Sequence, residues 1–241
     1  MSEKMTKTSK NGLTTSFEVP DDYDLGIERD DVKIPSVILW QKISDLPEFE
    51  DEDVKAGEFV NPVTIDKYGD SFECAIIKYY VTARIFGEVD QKTGRKEVLK
   101  YSKDAKHWED GSIIQPSEFQ WTDDGSHALK SYHYLVLVKG NEIPAILTFK
   151  GASAKYAKGL NANLMYTRPS WRSWFKVSSR VEESGGNKYY VIQAKAQPKR
   201  IVDQDTANAC VGYYKSLSSV TVTSSDMDKT LGEVEEPTLP F

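Results

Sequence analysis

The sequence predicts a mainly β fold. The expected form is a five-stranded Greek-key barrel with extra strands, one helix between strands 3 and 4, and a second helix near the C-terminus. Three observations predict it. Apolar and polar residues alternate at 73–86, 130–138, 143–149, 170–181 and 188–197, and alternate residues of a strand face opposite sides. Helical spacing shows at 150–164 and 203–217. The order is then long strand, excursion, hairpin, helix, hairpin, helix, which suits a small barrel of Greek-key type.

Taken from the start, residues 1–16 are rich in Lys, Ser and Thr and read as disordered. Residues 17–217 read as one domain, opening with an acidic block: residues 17–70 hold 5 cations against 16 anions. Inside that block, 34–41 (IPSVILWQ) reads as a short buried strand behind a rigid proline, and 46–53 (LPEFEDED) as an acidic loop. The first long strand, 73–86, sets Ala75, Ile77, Tyr79, Val81, Ala83 and Ile85 on an apolar side, with Lys78, Tyr80, Thr82 and Arg84 opposite. Residues 87–96 form a polar turn whose glycines lack the spacing of a phosphate loop. Residues 97–125 read as an irregular insertion, with short strands at 113–114 and 118–120.

The two runs 130–138 and 143–149 form a hairpin around 139–142, with Pro144 at a strand start. In 150–164, Ala152, Tyr156, Leu160 and Leu164 recur every four residues. The strand 170–181 sets Trp171, Phe175, Val177 and Val181 toward a core and Arg172, Trp174, Lys176, Ser178 and Arg180 away from it. Residues 182–187 supply a turn with glycines for positive φ. The return strand puts Tyr190, Ile192, Ala194 and Ala196 on one side, and Tyr189, Val191, Gln193 and Lys195 on the other. In 203–217, Asp203 or Asp205 caps a helix whose buried stripe is Ala207, Cys210, Val211, Tyr214 and Leu217. Residues 218–241 read as a disordered acidic tail.

Charge is segregated along this order. The chain has a formal net charge of −6, yet residues 126–200 carry nine Lys and four Arg against three Glu. The outward side of 170–181 holds three cations, no anion and an indole. A solvated strand surface is one reading. The other is a platform on which cations follow phosphates and flat rings take unpaired bases. On that second reading Lys78, Tyr80, Arg84, Arg172, Trp174, Lys176, Arg180, Tyr189 and Lys195 line a groove for single-stranded DNA.

Catalysis and metals find little support. His107, His127 and His133 are the only histidines, His133 lies mid-strand and reads as structural, and no His or Cys pair has a metal-ligand spacing. No nucleophile elbow occurs. No catalytic residue, metal or cofactor is expected. Cys74 and Cys210 read as buried, reduced thiols. No apolar run approaches a membrane span and the mean hydropathy is −0.52, so a cytoplasmic protein is expected.

The chain ends Glu233-Val-Glu235-Glu236-Pro237-Thr238-Leu239-Pro240-Phe241. Acidic residues before an apolar terminus make a usable peptide ligand: Phe241 fills a pocket and its carboxylate meets a basic group. In this ending and in its layout over 32–241, the chain resembles the single-stranded DNA-binding proteins of tailed bacteriophages. The resemblance implies an OB-fold, no enzymatic activity, and DNA protection in replication and recombination. It implies that the tail (Glu233, Glu235, Glu236, Leu239, Pro240 and Phe241) recruits replication or recombination proteins, and that the protein works in the host cytoplasm, with a homodimer allowed. The same tail can compete for the cationic groove. The acidic block and the 97–125 insertion depart from that family's general pattern. The alternative is a phage structural or host-modulating interaction module that binds no nucleic acid.

Overall fold

The computed structural model describes residues 4–8, 14–18, 35–42, 44, 46–49, 53–89, 96–120 and 127–216. The acidic tail and Trp121 therefore lie outside the described residues. The chain divides into two compact units, residues 1–32 and 33–241.

In the first unit, β1 (Lys4–Thr8) pairs antiparallel with β2 (Thr14–Glu18). Composition favoured disorder up to residue 16. The structure instead uses the Thr-rich runs KMTKT and TTSFE, which suit an extended backbone.

The second unit holds the remaining elements. They are β3 (Ser36–Leu39), β4 (Phe59–Asn61), β5 (Asp66–Gly69), β6 (Ser71–Val89), β7 (Lys96–Ser102), β8 (Leu129–Val138), β9 (Ala145–Phe149), α1 (Ala154–Tyr166), β10 (Ser173–Ser184), β11 (Asn187–Ile201) and α2 (Gln204–Ser216). Their sheet runs β11-β10-β6-β8-β9-β3-β4-β5, with β7 on β6. All pairs are antiparallel except β3 with β9, which is parallel. The fold is thus mainly β: one large mixed sheet and two helices.

The sheet curls until its two halves meet, but no backbone ladder joins β11 to β3. Side chains bridge the gap. The Gln41 amide donates to the Tyr190 carbonyl at 3.0 Å and accepts from the Tyr190 N–H at 3.1 Å. The Ile192 N–H donates to Ser153 Oγ at 3.0 Å. Two edge amides of β11 are satisfied in this way, as a partly buried edge requires. Gly57 makes the approach possible: a Cβ there would sit 2.4 Å from the Tyr190 ring, and its φ is +97°.

Inside the curl lies the main core, with Phe59, Phe72, Tyr134, Phe149 and Phe175 from the sheet and Ala157 and Leu160 from α1. The buried Tyr134 hydroxyl donates to Asn161 Oδ1 at 2.7 Å, which ties α1 to β8. A second cluster lies on the sheet's other face, where α2 brings Cys210 and Ala207 onto Ala75, Ile77, Leu135 and Trp174. A third gathers Ala83, Ala105, Trp108 and Ile114 under the 103–115 segment.

Several sequence expectations are corrected here. Residues 97–102 are a regular strand, and 116–119 form a 3-10 turn rather than a strand. A bulge at Ile77 in the pairing of β6 with β8 switches faces. Ala75 and Ile77 therefore share a side with Lys78, while Tyr79 pairs with Tyr134 on the side of Phe72, Cys74 and Ile76. One extra residue inverts all alternation beyond it. The turn between β10 and β11 is only Gly185-Gly186, with φ of 57° and 79°, so both strands run further than 182–187 suggested. On α2, Val211 and Tyr214 are exposed and Tyr213 packs in their place. Val181 is exposed as well. The capping expectation holds at Asp203, whose Oδ1 accepts the Thr206 N–H at 2.8 Å. Cys74 and Cys210 are free and buried, and burial pushes both thiols up, Cys210 to about 11.

Candidate nucleic-acid interface

The β10–β11 hairpin presents six exposed cations: Lys176, Arg180, Lys188, Lys195, Lys199 and Arg200. Its register sets Lys176 directly opposite Lys195, Ser178 opposite Gln193, Arg180 opposite Val191 and Glu182 opposite Tyr189. Lys176, Arg180 and Lys195 are all exposed. Like charges facing each other across a ladder destabilise the pair. Nothing in strand formation asks for two lysines there, so the arrangement suits a surface that meets anions.

Two carboxylates sit in this field: Glu182 near the hairpin tip, paired with Lys155 at 2.6 Å, and Glu73 at the other end. Glu73 of β6 lies opposite Lys176 on the other side of β10. It accepts hydrogen bonds from Lys139 Nζ at 3.0 Å, from Gln197 Nε2 at 3.1 Å and from Arg200 Nη1. Partial burial raises the Glu73 carboxyl's affinity for its proton. The Lys139 and Gln197 hydrogen bonds and the Arg200 charge outweigh that and hold it below the usual range. Glu73, Lys139, Gln197 and Arg200 were not singled out from the sequence. The Glu73–Lys139 and Glu73–Arg200 contacts span 66 and 127 residues, a distance over which no local pattern signals.

Eight of the nine predicted groove residues fall into three groups. Lys176, Arg180 and Lys195 share the hairpin face, with Tyr189 half-buried at its tip, its hydroxyl 3.4 Å from Glu182. Arg172 is exposed but sits in a 3-10 turn, Ser170–Arg172, before the strand begins. Lys78, Tyr80 and Arg84 lie elsewhere. β10 pairs with β6 only over residues 71–74, so those three continue past the end of that ladder, beside β8 and β7.

Two of the nine are corrected outright as surface groups. Trp174 is 5% exposed: it faces away from the main core, as alternation requires, but α2 covers that face. Arg84 is 8% exposed, with its guanidinium 5.6 Å from the Tyr101 ring centroid. Tyr80 is half-buried and its ring stacks on His133 at 5.2 Å. Trp171, expected in the main core, is half-buried on the α2 side, its ring 5.4 Å from that of Tyr214.

His133 is structural in its geometry. It is buried between Thr82 Oγ1 and Thr148 Oγ1, each at 2.9 Å. Burial, with the nearby Arg84 and Lys150 charges, lowers its pKa to about 3, so the ring stays neutral. Among the described residues, no group of three or more His, Cys, Asp or Glu could hold a metal, and no helix is long and apolar enough to cross a membrane.

Fold and face together define a mainly β protein with a cationic hairpin presented on a curled mixed sheet. Residues 10–223 match the model of the Pam3 phage gp34-like protein family, and the chain belongs to that family; it is a phage protein. No curated protein and no solved structure matches it.

Proposed function

We propose that this phage protein binds and protects single-stranded DNA during replication or recombination, without catalysis, in the host cytoplasm. The observation that carries the reading is the facing pair Lys176 and Lys195, with Arg180 beside them, exposed on one strand face. Three such cations along a hairpin can follow a phosphate backbone.

Topology supports the same reading. If β6, β8, β9, β10 and β11 are numbered as five barrel strands, the pairings 1–2, 2–3, 1–4 and 4–5 are present and α1 falls between strands 3 and 4. That is the order of an OB-fold, with β3 occupying the place beside strand 3 where strand 5 would close the barrel. Arg172 extends the phosphate track, and Tyr189 offers one ring at its end. The acidic Leu-Pro-Phe tail is assigned to recruiting replication or recombination proteins.

The test is a titration of a labelled oligo(dT) and of a duplex of equal length, followed by anisotropy at two salt concentrations. Tighter binding to the single strand, weakened by Lys176→Glu and Lys195→Glu, is the expected result. Binding to neither nucleic acid at low salt, or equal binding by both variants and wild type, overturns the proposal and leaves docking of an acidic protein as the reading of this face.

A further inference from the structure

The hairpin face supplies cations but hides the indole expected to stack bases. Among the described residues Tyr79 on β6 is 40% exposed, but the ring most open to solvent lies at the junction of α1 and β10. Tyr166, the last residue of α1, is 90% exposed and its neighbour Met165 is 69% exposed. Among the described residues the Tyr166 hydroxyl makes no hydrogen bond. Arg168 and Arg172 follow, both exposed. Between them Trp171 leans on Tyr214, itself 46% exposed. From residue 150 to 181 the chain holds seven Lys and Arg and no Asp or Glu.

This junction is fixed rather than free to collapse on the sheet. The Thr167 N–H closes the helix on Asn163 O at 3.1 Å. Ser170 Oγ lies 3.5 Å from the Ile77 carbonyl, and the Val202 N–H donates to Arg172 O at 3.2 Å. A large ring held outward leaves most of its apolar surface in water when free. One isolated exposed aromatic is ordinary. Tyr166 differs in its setting: two exposed arginines, Arg168 and Arg172, follow it within six residues, and residues 150–181 hold no carboxylate. A single strand fits both halves of that chemistry: phosphates meet Arg168 and Arg172, and an unpaired base meets the ring.

We infer that Tyr166 is the base-stacking residue of this protein, and that the Tyr166–Arg172 junction extends the hairpin's phosphate track into a site that takes unpaired bases. The inference rests on the single-strand reading above, and a pair of probes separates the two. One is a labelled oligo(dT). The other is an oligomer of equal length made of abasic units, which keeps the phosphates and has no bases.

With the full chain, Tyr166→Ala should weaken oligo(dT) binding by roughly 5- to 150-fold and leave the abasic oligomer nearly unaffected, while Tyr166→Trp retains oligo(dT) binding. Exposure of the ring predicts unchanged thermal unfolding for both variants. If Tyr166→Ala leaves oligo(dT) affinity intact while Lys195→Glu lowers it, the stacking assignment falls and the single-strand function stands. If Tyr166→Ala weakens both oligomers alike, the ring does not read bases and the assignment falls. If wild type binds neither oligomer, both readings fall together.

Discussion

Replacing Lys195 by Gln should separate stability from binding. In the folded chain Lys195 faces Lys176 across the β10–β11 ladder, while Lys176 also has Glu73 on its other side. Removing the Lys195 charge relieves a like-charge contact, so the variant should be equal to wild type or more stable, by about 0.2–1 kcal/mol. Binding should move the other way. If Arg172, Lys176, Arg180 and Lys195 each neutralise one phosphate, log affinity for a single strand falls with log salt at a slope of about −2.8. Raising salt from about 50 to about 200 mM then weakens wild-type binding roughly 50-fold. Without Lys195 the slope becomes about −2.1 and the same salt step costs roughly 18-fold. Urea unfolding and anisotropy titrations of oligo(dT) at several salt concentrations measure both quantities. A variant that is less stable, with the wild-type slope, would refute the reasoning: Lys195 would then be structural and would touch no phosphate.

Three further outcomes follow from the packing. Trp174→Ala should destabilise the fold by about 3–5 kcal/mol in urea unfolding, because the indole fills the space between the sheet and α2; a change within error would return Trp174 to the surface. Gln41→Ala removes a side chain bonded to both backbone groups of Tyr190, so hydrogen exchange at the Tyr190 amide should speed up while that at the Tyr134 amide does not change. Acid should reveal His133. Its folded pKa, about 3, lies below the ordinary 6.5, so the unfolded chain takes up the proton first. Its contribution is complete above about pH 6.5 and is lost progressively as pH falls toward 3. His133→Asn should flatten that part of the stability profile, and an unchanged profile would show that the ring is already charged or exposed.

Much of the fold was legible because strand and helix periods are local properties. Alternation located β6, β8, β9, β10 and β11; four-residue spacing located α1, and an apolar stripe of helical spacing located α2. The Gly185-Gly186 pair marked the hairpin turn, and Asp203 marked the start of α2. The charge segregation was also plain in the sequence, and with it the exposed trio Lys176, Arg180 and Lys195, since which side of a strand a residue faces depends only on its neighbours in the chain.

What the tertiary structure alone decided is which of those sides stays open to water. Trp174 faces away from the main core as its position dictates, yet α2, starting 30 residues later, covers it. One bulged residue at Ile77 reversed the sides of the longest strand, and hydropathy carries no mark for a bulge because the apolar run continues through it. Glu73 gathers Lys139 and Arg200, and Gln41 holds the edge of β11, through contacts made only once the sheet has curled. Tyr166 stands in solvent because α1 ends there. Local preference sets the direction of each side chain; burial depends on what packs over it, and that is a property of the assembled sheet.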